Sequence, residues 1–558
     1  MNAKRRMMAA AILAGLACTA GGDEPTTGPA AGPATQPTTR PSERPRKTIA
    51  GITISRETTY IDGPLNADGT VNYVAYLNRK YSEGVTPDNN AAVLLLRALG
   101  PEMVPESTRL MTFARLRMRP LPVRGEYFVD LDEYVESLLA EQRARLEDMP
   151  EGLDEDEWYG DGPEGVATAQ RDKAMDGPWT AQQYPVVAEW LKANARPLDL
   201  IVEATNRPKY YMPSVSESFP PQMIDTLMPS LNRHREAARA LTARAMLRNG
   251  SGDIEGARCD LLAVRRFARH VSHDVTLISR LVGTAIEALG AQATRDLVLS
   301  SALSSEDMKA LLAQLNGLPP MPDMIEALDE GERLMHLDCV MMLTRGAPVD
   351  TARQIVNPMG APVSDQRPAL PPDLVFDWDT MLRRFNHLWD REAAALRRPA
   401  YGGRHEAFDA METELIAASR RAGGWNMAGR AIGAAVSMPI TKKPMTLMVS
   451  DLLATLLMPS LGRALTLQER AEMDAELVRV AAALAVHRAE RGRYPDELEA
   501  LTPGLIEKVP TDVFSGKPLV YKPTAEGDGY VLYSVGENLT DDGGVDDYEE
   551  GDIVVKTE

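Results

Sequence analysis

The segment Arg248-Asn249-Gly250-Ser251-Gly252-Asp253-Ile254-Glu255-Gly256-Ala257 decides the fold class. Before it, Leu231 to Arg248 is rich in Ala, Leu and Arg; after it, Leu261, Leu262, Val264 and Phe267 recur at helical spacing. Asn-Gly-Ser-Gly stops the first helix, and Asp253 is placed to accept the free amides that open the second. A third helix is expected over about Asp274 to Leu299. A fourth starts at Ser304, with Asp307 three residues on as in a capping box, and stops at Gly317 and Pro319. Short connections make neighbouring helices antiparallel, so residues 216–444 read as an antiparallel helical array. Gly250, Gly252 and Gly256 do not make a dinucleotide loop: the spacing carries one residue too many, and a helix stands where a strand is needed.

Toward the amino terminus the pattern becomes mixed. Ile52-Thr53-Ile54-Ser55 alternates as a strand does, Asn66-Ala67-Asp68-Gly69 carries turn chemistry, and a helix is expected over Asn90 to Leu99. The Asn66 turn is not a calcium loop, because Pro64 and Ala75 occupy the positions that must supply ligands. Glu147, Asp148, Glu151, Asp154, Glu155, Asp156, Glu157, Asp161 and Glu164 stand without a basic residue among them, which predicts a solvated acidic loop over 147–164. Tyr184 to Ala195 has helical spacing, and Pro197, Pro208 and Pro213 punctuate an irregular stretch after it. Residues 48–215 therefore read as a mixed α/β amino-terminal domain.

The whole chain has 558 residues, 44% apolar and 25% charged, enough for several units with cores of their own. Its formal net charge is -19 with no long basic stripe, which excludes nucleic acid as a partner. Cys18, Cys259 and Cys339 are too few for a disulfide framework, and the last two read as small core residues. His270 and His273 lack a third ligand nearby and read as surface or helix-end residues. No GxSxG elbow, CxxC pair or Walker loop occurs, and no catalytic residue is assigned. The phrase around Asn249 and Asp253 resembles one hairpin of the tetratricopeptide type, but a solenoid needs about three stacked units.

Lys4, Arg5 and Arg6 precede the apolar run Met7 to Ala17, the pattern of a signal peptide over 1–17. Leu16-Ala17-Cys18-Thr19 resembles a bacterial lipoprotein signal, which implies lipidation of Cys18. Residues 18–47 are Pro- and Thr-rich with almost no aliphatic side chains, and are expected to form a disordered tether.

Residues 445–558 differ from what precedes them. Leu447 to Met458 reads as a buried helix, with Asp451 arguing against a membrane span. Leu465 to Arg491 is an amphipathic helix leaving through Gly492-Arg493-Tyr494-Pro495. Then come Val509-Pro510-Thr511-Asp512-Val513-Phe514-Ser515-Gly516-Lys517-Pro518 and two alternating runs, Pro518 to Lys522 and Tyr530 to Val535, joined by Glu526-Gly527-Asp528-Gly529 as a β-hairpin. Tyr533-Ser534-Val535-Gly536, Asp541-Asp542-Gly543-Gly544 and Gly551-Asp552-Ile553 follow. This order resembles the globular part of type II secretion major pseudopilins. The resemblance implies calcium held by Asp542, Asp547 and Asp552, with backbone carbonyls near Leu532 or Val535 completing the oxygen shell. Because the helix lies near the end of the chain and not behind a leader, the resemblance implies an interaction module, not a filament subunit.

The expected fold class is α+β and predominantly α-helical. The expected function is that of an exported, lipid-anchored protein of the periplasm or outer cell envelope, a non-catalytic scaffold or protein-interaction module. Its expected partners are other envelope or secreted proteins and, through the anchor, the membrane. The alternatives are an exported hydrolase using dispersed carboxylates and an accessory component of a type II secretion-like system.

Overall fold

The computed structural model describes residues 46–47, 51–145, 162–226, 231–300, 303–345, 376–421, 446–447, 450–451, 454, 461–545 and 551–557. The signal peptide, Cys18, nearly all of the tether and most of the acidic stretch 147–164 lie outside them. The protein is mostly helical with a small three-stranded antiparallel sheet.

The amino-terminal part opens with two short paired strands, β1 (Arg46–Lys47) and β2 (Thr53–Ile54), so the last two residues of the stretch expected to be a tether enter a ladder. There follow α1 (Tyr73–Tyr81), α2 (Ala91–Leu99), α3 (Glu106–Arg115), α4 (Leu131–Arg145), α5 (Gly162–Met175), α6 (Pro185–Ala193) and α7 (Ala195–Thr205). Asn90 caps α2 by accepting the Ala92 amide. The stretch expected to be irregular after Ala195 is helical as far as Thr205 and irregular beyond it, around Pro208 and Pro213. Pro197 is tolerated because it sits in the first turn, where amides lack intrahelical acceptors.

The helical array is α8 (Leu231–Gly250), α9 (Ile254–Ser272), α10 (Leu277–Leu299) and α11 (Ser305–Asn316). Asp253 accepts the Gly256 amide and Ser304 accepts the Asp307 amide, as their positions in the sequence require. Gly252, at φ 82, makes the turn, whereas Gly250 still belongs to the helix and has a packing role. A Cβ there would lie 2.1 Å from the Trp179 carbonyl oxygen. A further helix begins at Met324–Glu326, widens into a π-helical turn at Ala327–Glu332 and continues as α12 (Arg333–Thr344). Then come α13 (Trp378–Leu396), α14 (Tyr401–Arg421) and the long α15 (Leu461–Arg491).

One apolar core runs through segments far apart in the chain. It joins Leu95 and Trp190 of the amino-terminal part, Leu241, Phe267 and Ile286 of the array, Leu477 and Leu484 of α15, and Leu532 and Val555 of the sheet. A second core packs Ile52, Ile54 and Leu77 against Leu334, Phe385 and Trp389. There the Thr53 amide and hydroxyl both donate to Asp379, and Asn386 donates to the Thr58 carbonyl. Cys259 is exposed, contrary to the core position its helical setting suggests, because it falls on the outer stripe of α9. His270, expected at the surface, is buried on the inner stripe and stacks on Tyr210 at 6.1 Å.

Carboxyl groups are buried as well. Glu332 accepts the Leu277 amide at the start of α10, Asp338 accepts the Met223 amide, and Glu392 Oε2 has no partner among the described residues. Burial pushes these carboxyls up to about 7, about 7 and about 8. A raised folded value means that the fold holds the proton more tightly than the unfolded chain does. The stability so contributed is full below the unfolded value of about 4 and is lost as pH rises through the folded values. The melting temperature is therefore expected to fall between about pH 4 and about pH 8, and Glu392→Gln, neutral throughout, is expected to flatten that slope. Identical slopes in thermal scans of the two proteins would remove Glu392 from the account.

Candidate functional site

The carboxy-terminal residues build outward from α15. Its last turns meet Tyr494, over which Arg488 lies at 5.0 Å, and Tyr494 packs edge-on to Tyr530 at 4.8 Å. Three antiparallel strands cover that end: β3 (Val520–Pro523), β4 (Tyr530–Ser534) and β5 (Ile553–Lys556), with β4 in the middle. Val520 pairs with Tyr533 and Pro523 with Tyr530, which is the expected hairpin. Ile553 belongs to no strand expected from the sequence. Instead it begins β5, pairing with Ser534, and Ile553, Val554 and Val555 are buried.

Two buried aspartates hold this module together. Asp512, 2% exposed, sits at the corner between helix and sheet. Its Oδ1 accepts the Phe514 amide and the Ser534 hydroxyl, both at 2.9 Å. Its Oδ2 accepts the Ser515 hydroxyl at 2.9 Å and the Val535 amide at 3.2 Å. One carboxylate thus joins the corner to the end of β4. Asp552, fully buried just before β5, accepts the Gly544 amide at 2.7 Å and lies 3.5 Å from the Asp542 amide nitrogen. The loop is thereby drawn down onto the sheet. At Gly536, with φ 69, a Cβ would come within 2.6 Å of the Gly551 carbonyl oxygen, so only glycine permits this approach.

The loop's charge is organised by a relay of polar side chains. Lys522 donates to the Tyr533 hydroxyl at 2.5 Å, and Tyr533 donates to Asp541 at 2.8 Å. Hydrogen bonds from Tyr533 and from the Gly543 amide hold the Asp541 carboxyl below its ordinary value. The bond to Tyr533 raises the Lys522 ammonium above its own. Asn538 donates to Asp542 Oδ2 at 2.9 Å.

Of the three residues expected to hold calcium, Asp542 approaches Asp552 through its backbone amide while its carboxylate accepts from Asn538, and Asp547 lies outside the described residues. Asp552 receives backbone amides and Asp542 a side-chain amide. Leu532 is mid-sheet, paired with Tyr521 on one side and Val555 on the other. Among the described residues no three carboxylate, imidazole or thiol groups converge as a metal requires. The described part of the loop does not by itself supply the six to eight oxygens calcium takes. Sequence reasoning missed Asp512 and the Lys522–Tyr533–Asp541 relay. The corner's Asp-x-Phe-Ser-Gly order signalled a turn, and only tertiary contact shows that the same carboxylate reaches Ser534.

Two apolar residues of this loop face solvent: Leu539, 48% exposed with φ 58, and Val545, 59% exposed. In sequence they flank Asp541 and Asp542. Among the described residues no helix is long and apolar enough to cross a membrane. No protein-family model, curated protein or solved structure matches this chain.

Proposed function

We propose that the protein is an exported envelope protein, tethered through a lipid on Cys18, whose pseudopilin-like carboxy-terminal module binds other proteins through its acidic loop. The observation that carries this reading is the loop itself. It is locked onto a sheet by Asp552, yet presents Leu539 and Val545 to solvent in the same loop as Asp541 and Asp542. Exposed apolar side chains with a charged rim are the ordinary anatomy of a contact surface. A partner with basic residues around an apolar spot fits it. The order of long helix, corner and hairpin supports the pseudopilin likeness, and calcium at Asp542, Asp547 and Asp552 belongs to the same proposal.

The dispersed-carboxylate hydrolase draws less support. Glu332 and Asp338 are engaged at backbone amides, and a cavity of about 320 Å³ in the amino-terminal part has no carboxylate in its lining.

The test is capture of envelope proteins by the full chain and by the Leu539→Asp/Val545→Asp variant, with and without a calcium chelator. The variant is expected to lose the captured partners with its folding stability changed by no more than about 0.5 kcal/mol, as for surface positions. The chelator is expected to weaken capture by the parent chain. Partners retained by the variant reject the loop as the binding surface. Capture indifferent to chelator, together with a melting temperature indifferent to millimolar calcium, rejects the metal.

A further inference from the structure

A second site lies in the amino-terminal part, away from the loop. Helix α1, the turn after it and the end of α3 enclose the cavity of about 320 Å³, at the lower end of the roughly 300–1,000 Å³ range of small-molecule sites. Its lining includes Arg79, Arg115 and Arg117 and no carboxylate. None of the three guanidiniums forms an ion pair with a described residue. All three are exposed to solvent, and in a chain of net charge -19 three cations gathered around one hollow without a carboxylate make a local positive patch that attracts anions.

The backbone delivers one of these cations at a conformational cost. Met118 donates to the Phe113 carbonyl and Arg117 to the Ala114 carbonyl, the paired bonds of a Schellman helix end. The residue at the left-handed position of that motif is usually glycine, but here it is Arg117, at φ 53. A non-glycine residue there is disfavoured by about 1 kcal/mol, and such departures gather where a side chain is needed for binding. The site is also rigid. On its floor, Asn78 and Asn90 are buried, Asn78 accepts the Tyr211 hydroxyl at 2.7 Å, and Asn90 accepts the Tyr211 amide and donates to its carbonyl at 2.9 Å each. These bonds leave the floor set before any ligand arrives, which limits the ordering entropy of binding.

We propose that this cleft binds the phosphate group of a small phosphorylated molecule or of a lipid headgroup. Guanidinium forks match phosphate oxygens two at a time, and three of them balance the charge of a phosphate better than that of a single carboxylate. Val85, Pro87 and Leu116 supply an apolar wall for the remainder of the ligand.

Calorimetry on the full chain tests the assignment, with glycerol 3-phosphate, glycerate, and vesicles of phosphatidylglycerol or phosphatidylcholine as probes. Glycerol 3-phosphate is expected to bind, or phosphatidylglycerol vesicles in its place if the source is lipid, while glycerate and phosphatidylcholine are not. Arg117→Gly removes the guanidinium and relieves the backbone, so it is expected to fold at least as well as the parent while binding about tenfold or more weakly. Arg79→Gln/Arg115→Gln/Arg117→Gly is expected to abolish binding without lowering the melting temperature. Absence of binding to both phosphate probes, equal affinity for glycerate, or undiminished affinity in the triple variant overturns the proposal. The Leu539→Asp/Val545→Asp variant is expected to keep phosphate affinity, which separates this site from the loop.

Discussion

Replacing Glu287 by Ala is expected to destabilise the protein by about 3–5 kcal/mol, the range for breaking a buried ion pair from one side. Glu287 of α10 is 1% exposed. Its Oε1 accepts from Arg265 Nη2 at 2.7 Å and its Oε2 from Arg269 Nη1 at 2.8 Å, both from α9. Arg265 and Arg269 are themselves buried, so deleting the carboxylate leaves two guanidiniums in the core with no counter-charge. Burial by itself raises the Glu287 carboxyl, but the two guanidiniums outweigh it and hold it below its ordinary value. A lowered folded value contributes stability that is present above the unfolded value of about 4.3 and is lost as pH falls through the folded one. This is the opposite sense to Glu332, Asp338 and Glu392, so the parent chain is expected to be most stable in mildly acidic solution. Urea unfolding of Glu287→Ala reads the cost directly, and a loss under about 1 kcal/mol would show the triad to be dispensable. Arg265→Met/Glu287→Leu/Arg269→Met, which removes all three charges, is expected to recover most of the loss, since apolar residues of similar volume often replace buried ion pairs without penalty.

Asp512→Ala is expected to cost about 2–5 kcal/mol, because it orphans the buried amide of Phe514 and the Val535 amide at once. Asp512→Asn tests the chemistry more finely. An amide side chain keeps one acceptor oxygen for Phe514 and Ser534 but turns a nitrogen donor toward the Val535 amide, donor against donor. The expected result is an intermediate loss, with the alanine variant the weaker of the two. Because this carboxylate ties the end of β4 to the corner, amide exchange on β4 and β5 is expected to speed up in both variants while α9 and α10 keep their protection. Uniform exchange across the chain would mean that module and array unfold as one unit.

The helical array was the most legible part of the chain. Caps at Asp253 and Ser304 act within three residues, so their signals lie side by side in the sequence and survive whatever the rest of the protein does. The hairpin was legible for the same reason, since its turn and both alternating runs are adjacent. Strand β5 was not. Its buried Ile553, Val554 and Val555 follow a dense acidic stretch, and a four-residue strand acquires its pairing only from β4. His270 and Cys259 were misplaced because a helix shows which residues share a stripe, not which stripe the neighbours cover.

The candidate sites divide along the same line. Asp542 and Asp552 were marked by the resemblance, and the structure sets the Asp542 amide nitrogen 3.5 Å from the Asp552 carboxylate. Arg79, Arg115 and Arg117 carry no motif, because two helix ends separated by an intervening helix must be folded together before their charges share a cavity. By itself the sequence determined that the chain is mainly helical, where the helices of the array start and stop, and that a hairpin follows the last long helix, all through contacts a few residues apart. Only the tertiary structure decided that Thr53 is tied to Asp379, that Glu287 serves two arginines of the preceding helix, and that three arginines surround one hollow. Those arrangements depend on closing long loops against chain entropy, and the burial that offsets that entropy is a property of whole faces, not of neighbouring residues.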